Sequence, residues 1–347
     1  MCQFVDQNSG KKIKILFCLF DSFTHSLERS TMLKNISKFV DHCGRYGTPA
    51  MLKYAKNRLI FHWHRDIAKK QYWEKDIHNY RMKLDLYDLG ISRALMFFGS
   101  REEDHKYVLE QVLKPGMTVL DLGANIGYYA LMECKLVGPK GFVYAIEPHP
   151  TNFAMLKENI KLNKMENRVE MHQMGGSDKT SVECLYGSNK SNLHTFCLGE
   201  GGSEGLNMIE VSTMTVPDFC KGKKKIDLIR MDIEGFEVEV FRGMLDALDD
   251  SEFNPSILFE THKPKYKDPE HSMRDVLTKM FEKGYYPKII ISDELPRAKF
   301  KENGYTPAHT IPTDGLTRGF YYDMPEDDAI RFICDIGSVR GVLLVRR

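Results

Sequence analysis

MTVLDLGANIGYYALM, residues 117–132, carries an apolar run into an acid, Asp121, then a glycine-punctuated turn, then a helix-like run. A strand, a tight turn with glycines for left-handed backbone, and a helix make the first half of a βαβ unit. The same rhythm repeats outward from it. GFVYAIEP (141–148) reads as a second strand, TNFAMLKENIKLN (151–163) as a helix with Thr151 at its N-cap, and RVEMHQMG (168–175) as a third strand. KIDLIRMDIEG (225–235) is a fourth strand with the helix FEVEVFRGMLDAL after it, and PSILFETH (255–262) is a fifth, before a helix over 271–283. YPKIIIS (286–292) and GVLLVRR (341–347) would close the sheet, separated by a polar insertion over 292–330. Strands alternating with helices predict an α/β fold on a mostly parallel sheet. The Gly/Ser/Asn-rich excursion over 175–207 reads as loop and short strand.

Composition narrows the partners. The 347 residues are 42% hydrophobic and 28% charged, ordinary for a globular chain with a sizeable core. With 49 basic and 48 acidic residues the net charge is +1, so no dedicated nucleic-acid surface is expected. The apolar run from Ile15 to Phe20 is too short to span a bilayer, and a cytoplasmic protein is expected. Eight cysteines without a C-x-x-C pair indicate neither a zinc cluster nor a redox pair. Residues 1–80 read as a helical N-terminal extension, since LIFHWHRDIAKKQYWEKDIHNYRMKL mixes aromatics and charges without Gly or Pro. It carries His62, His64, His78, Trp63 and Trp73, and core or interface packing is expected of it, with a partner or with a second copy as a homo-oligomer.

Asp121 then excludes a ligand class. A dinucleotide site brings a pyrophosphate to the turn and helix N-terminus. A carboxylate there would face a doubly anionic group at a cost of a few kcal/mol. A ligand with an ammonium group and a positive centre, and no phosphate, would be welcome instead; S-adenosylmethionine is one. Gly123, Ala124 and Gly127 let the backbone approach it. Glu147 ends the second strand, where a carboxylate accepts hydrogen bonds from both ribose hydroxyls.

VLDLGANIGYYAL, AIEPHPTNFAMLKENIKLN and LIRMDIEGFEVEVFRGM, with the upstream MKLDLYDLGISRALMFFGSREEDHKYVLEQVLKPG, resemble the FkbM-type methyltransferases, a branch of the class I S-adenosylmethionine-dependent enzymes. The likeness runs from about residue 81 to the C-terminus. It implies a seven-stranded, mostly parallel Rossmann-like sheet with an antiparallel C-terminal hairpin. It also implies methyl transfer, usually to oxygen, often on sugars or glycosylated products. By position, Asp121, Gly123, Ala124, Asn125 and Gly127 resemble the methionine-side loop. Glu147 resembles the ribose acid, with Pro148 and His149 beside the adenine. In Gly175-Gly176-Ser177-Asp178, Ser177 or Asp178 would reach the base.

The reacting end is read from MDIEG and FETH. Residues two apart on a strand share a face, so Asp232 pairs with Glu234 and Glu260 with His262 at the rim of the crevice. Asp232 is expected near the sulfonium and acceptor, with His262 or Glu234 accepting the acceptor's proton. Structural duties compete: Glu234 capping the next helix, Glu260 pairing with Arg230. A divalent metal on this rim is a separate hypothesis that predicts inhibition by a chelator; no metal ligands are assigned from spacing alone. Asn192 and His194 are candidate acceptor contacts, and Glu103 either closes over the cofactor or makes a surface salt bridge. The acceptor expected is a small molecule or glycan. N-methylation of nucleic acid or protein, and a non-catalytic cofactor-fold binding protein, are the alternatives. The Asn/Asp-Pro-Pro-aromatic motif of amino-methylating enzymes is absent, MDIEG standing in its place.

Overall fold

The computed structural model describes residues 52–347 except 189, 192, 197–207, 267, 268, 270, 296 and 297. Two compact units divide the chain, Met1–Ala55 and Lys56–Arg347, and the elements below belong to the second. The segment read as one helix over 59–84 is helical only in part. A π-helical turn, Trp63–Ile67, is followed by a hairpin of β1 (Tyr72–Ile77) and β2 (Tyr80–Asp85). The physical reason is a period of two: Tyr80, Met82 and Leu84 are buried on one face while Arg81 is exposed. His78 supplies the left-handed residue of the two-residue turn without glycine. The outer edge of β2 is met by a helix rather than a strand. Asn159 accepts from the Lys83 amide at 2.7 Å and Asn163 from the Arg81 amide at 2.9 Å, four residues apart on one helix face. Asn159 also donates to the Ile126 carbonyl at 2.8 Å.

The main sheet carries β3 (Thr118–Leu122), β4 (Phe142–Ile146), β5 (Val169–His172), β9 (Leu228–Met231), β10 (Ser256–Glu260), β11 (Tyr285–Ser292), β12 (His309–Thr313), β13 (Leu316–Tyr322) and β14 (Val339–Arg346). Their order is β12-β13-β11-β14-β10-β9-β3-β4-β5. The five strands from β5 to β10 are parallel, and β14 is antiparallel to both β10 and β11. Nine strands therefore replace the seven expected. The additional pair, β12–β13, comes from the stretch read as a polar insertion, where alternation is obscured by Pro312, Asp314 and Gly315. The C-terminal partners β11 and β14 are antiparallel as expected, but this hairpin lies between them in the chain, so they are not a hairpin themselves.

The middle strands are buried on both faces, and β3 and β9 are apolar apart from Thr118, Asp121 and Arg230. Helices α1 (Tyr128–Leu136), α2 (Pro150–Leu162), α3 (Glu237–Met244) and α4 (Met273–Glu282) cover them. Val238, Phe241 and Met244 pack with Ile229, Phe259 and Leu277 in one core. His149 rather than Thr151 is the N-cap of α2, because Pro150 fits the first turn, where no amide partner is needed. The 175–207 excursion yields β6 (Gly175–Gly176) and β7 (Ser181–Tyr186), which form a small separate sheet with β8 (Met208–Met214) just beyond it.

Candidate active site

A crevice opens at the carboxyl ends of β3, β4 and β9, where open parallel sheets bind ligands. It holds about 520 Å³ of empty space, open solvent at its mouth included. The turn after β3 forms its floor. Gly123 has φ +83°, and a Cβ there would come within 2.1 Å of the Asp232 carbonyl oxygen. Gly123→Ala is therefore expected to push apart the two loops that hold the crevice. Cofactor binding should be lost beyond detection by calorimetry, with a lower melting temperature; a variant that binds normally would contradict this. Gly127, at φ +91°, is the N-cap of α1 against Leu156, and the Ala124 amide bonds the Ile146 carbonyl at 2.9 Å.

Glu147 stands at the centre. Its Oε2 accepts from the Asn125 amide at 2.8 Å and its Oε1 from the His149 amide at 2.9 Å, with Asn152 at 3.4 Å. Burial pushes its pKa up to about 7, despite the two amides that favour the ionised form. Pro148 lines the crevice beside it. His194 stacks on His149, ring centroids 3.8 Å apart, and burial, then His149, lowers its pKa to about 4. His194 is thus neutral at pH 7. The loop that carries it is tied over the crevice: Asn125 and Asn152 both donate to the Ser191 carbonyl, and Ser191 Oγ donates to Asp88 at 2.8 Å. Asn192 lies outside the described residues. Glu103 pairs with Lys106 at 3.0 Å, the surface reading of that residue.

Three expected cofactor contacts lie elsewhere. Gly175 and Gly176 line the crevice, whereas Ser177 and Asp178 turn behind it. Ser177 is buried with its amide on the Met214 carbonyl, Asp178 faces Arg242 at 3.4 Å, and both back onto Gly243 of α3. The crevice wall at this point is the Gly175-Gly176 pair. Asp121 is fully buried one layer below the lining, its Oδ1 accepting from Arg230 at 3.0 Å. Arg230 joins Asp121 to Asp232 (3.0 Å) and lies over the Tyr129 ring at 3.7 Å. The sequence reading treated Arg230 as a partner for Glu260; the alternation that put Asp232 in the crevice also put Arg230 beside it. Glu260 pairs with Arg340 instead.

At the reacting end Asp232 and Glu234 line the crevice, and His262 meets Glu234 at 3.6 Å and Glu260 at 3.4 Å. Glu234 sits in left-handed backbone (φ +53°) and takes Lys265 at 3.2 Å. The helix-capping duty offered to Glu234 belongs to Glu237, whose Oε1 accepts from the Gly235 amide at 3.2 Å. Glu237 also accepts from His262 Nδ1 at 3.0 Å. Burial lowers the His262 pKa, but Glu237, Glu234 and Asp232 outweigh it and raise it to about 9. At neutral pH that imidazole already carries its proton. Burial raises the Glu234 pKa, whereas Arg230 overcomes burial at Asp232 and lowers it. Glu234 is the stronger base.

Comparison with known proteins places these residues in context. The model of the methyltransferase FkbM domain matches residues 121–287. The chain is 24% identical over 211 residues to 2-O-methyltransferase NoeI of Sinorhizobium fredii, covering 56% of this chain and 84% of that protein. It is 30% identical over 164 residues to 31-O-demethyl-FK506 methyltransferase FkbM of Streptomyces tacrolimicus, covering 39% of this chain and 62% of that one. A shorter match, 37% over 84 residues, is to a tRNA(Phe) (4-demethylwyosine(37)-C(7)) aminocarboxypropyltransferase of Methanocaldococcus jannaschii, covering 24% of this chain and 32% of that protein. Among the described residues, no helix is long and apolar enough to cross a membrane.

Proposed function

We propose, from the premise that residues 121–287 are an FkbM-type methyltransferase domain, that the protein methylates a hydroxyl oxygen of a sugar or another hydroxylated small molecule, using S-adenosylmethionine. One observation carries the reading. Among the described residues lining the crevice there are three carboxylates, Glu147, Asp232 and Glu234, and no Lys or Arg. Such a lining offers acceptors to a ligand with an ammonium group and hydroxyls and presents no cation of its own to a diphosphate.

The residues present fit S-adenosylmethionine. Glu147 retains acceptor capacity for a ribose diol, the Gly175-Gly176 backbone offers a flat wall for a base, and Gly123, Asn125 and Asp232 would hold the amino-acid end. When bound, the cofactor supplies an electrophilic methyl group for in-line displacement. Asp232 is fixed by Arg230 and orients. Glu234 takes the proton of the attacking hydroxyl. Glu234→Gln is accordingly expected to lower kcat by roughly 10²–10⁴ while leaving S-adenosylhomocysteine binding unchanged; single-turnover methylation of the identified acceptor measures it.

The cofactor half is tested by thermal shift with S-adenosylhomocysteine and with NAD. At 100 times its dissociation constant a ligand adds about 2.7 kcal/mol, an upward shift of roughly 5 °C for a chain of this size. A shift with NAD alone would overturn the reading. The acceptor half is tested with methyl-labelled cofactor and a panel of glycans, lipids and RNA. RNA belongs in the panel because of the tRNA-enzyme match, and label on RNA alone would favour N-methylation. The match to a protein named 2-O-methyltransferase NoeI, with that to a 31-O-demethyl-FK506 methyltransferase, supports the hydroxyl acceptor.

A further inference from the structure

We infer that Asp232, Glu234 and His262 form a binding site for one divalent cation of the magnesium–manganese class, which would hold an acceptor through two neighbouring oxygens, such as a vicinal diol. The binding site stands on its own geometry; its use on a diol rests on the methyl-transfer reading above.

One ligand atom from each of the three residues lies within 4.8 Å of the others. Atoms sharing an ion stand about 2.0–2.2 Å from it and so at most about 4.4 Å from each other, so an ion would draw the three side chains together. The ligands stand just past the ends of two adjacent parallel strands, Asp232 and Glu234 in the turn after β9 and His262 in the segment after β10. His262 is oriented as metal-binding imidazoles are, and the ion would take the place of the Nε2 proton, which leaves to solvent. Its Nδ1 faces the fully buried Glu237 carboxylate at 3.0 Å, which directs Nε2 toward Glu234 and Glu260.

The other charges nearby leave room for an ion. Arg230 engages Oδ2 of Asp232, and Arg340 engages Glu260. Lys265 is the competitor: its Nζ is on Glu234 Oε2 at 3.2 Å, at the end of a flexible chain. Two carboxylates and an imidazole, without thiolate, suit hard to intermediate divalent ions. An ion there would polarise the reacting hydroxyl, and its proton would leave to the carboxylate oxygen of Glu234 that the ion does not use.

The test is a manganese titration of the full chain, read by electron paramagnetic resonance, with S-adenosylhomocysteine binding measured in parallel. One saturable Mn²⁺ per chain is expected, with spin-echo modulation from an imidazole nitrogen. His262→Asn should abolish that modulation and weaken Mn²⁺ at least tenfold. Glu234→Gln should weaken Mn²⁺ by a similar factor, and both variants should still bind S-adenosylhomocysteine, showing that they are folded. No saturable site, or binding that survives both substitutions, overturns the inference. Homocysteine-cofactor binding without Mn²⁺ would sink the cation site alone; failure of both would sink the methyl-transfer reading as well.

Discussion

Arg230→Met is expected to destabilise the protein by about 3–5 kcal/mol, the cost of leaving an uncompensated buried charge. Arg230 is one of the largest fully buried side chains, and it bridges Asp121 and Asp232 while its guanidinium covers Tyr129. Methionine fills much of the volume but leaves Asp121 without its cation in a site where burial already pushes its pKa up. Urea denaturation measures the loss. Adding Asp121→Asn to Arg230→Met should restore part of it, because a neutral amide removes the stranded charge. A single variant as stable as the wild type would show that the pair is dispensable. The Asp232 carboxylate would also swing free, so weaker cofactor binding is expected even at temperatures where the variant is folded.

Glu147→Gln is expected to weaken S-adenosylhomocysteine about a hundredfold and to cost about 1–3 kcal/mol of stability, because one of the two backbone amides it accepts from would face an NH2 donor. Hydrogen bonds to a charged acceptor contribute about 1.5–3 kcal/mol each, and the amide keeps only one acceptor oxygen. The same residue sets a pH dependence. Its folded pKa of about 7 lies above the ordinary 4.5, so the folded protein holds the proton more tightly. Its contribution to the stability of the free protein is therefore greatest below about pH 4.5 and declines as pH rises to about 7. Ribose hydroxyls need the ionised form, so affinity should run the other way, rising from pH 6 to pH 8 and levelling above. Calorimetry at several pH values would show it, and Glu147→Gln should flatten the profile. A wild-type profile already flat across pH 7 would remove Glu147 from the ribose.

The parallel half of the sheet was legible because its strands are uniform apolar runs punctuated by glycine and by strand-end acids. The hairpin 72–85 was not, since charges and aromatics at mixed spacing suit both periods and only burial selects one. β12–β13 were hidden for a related reason: an edge pair needs one apolar face, and Pro312 and Gly315 break its pattern. In the site, the acids were legible by type and position, but depth was not. Asp121 and Glu147 end neighbouring strands alike, yet one is covered by Arg230 and the other lines the crevice. His262 shows the same limit, because the carboxylates that reverse its role arrive from α3 and β9 as well as its own strand.

Asn159 holds the hairpin backbone at one end of its carboxamide and the glycine turn at the other. A shortened version starting after residue 80 would discard a strand and leave that amide gripping a frayed ribbon. Anyone preparing a minimal fragment for crystallisation should therefore keep the chain from Lys56 onward, or expect the ligand-facing loop to lose its anchorage along with the discarded piece.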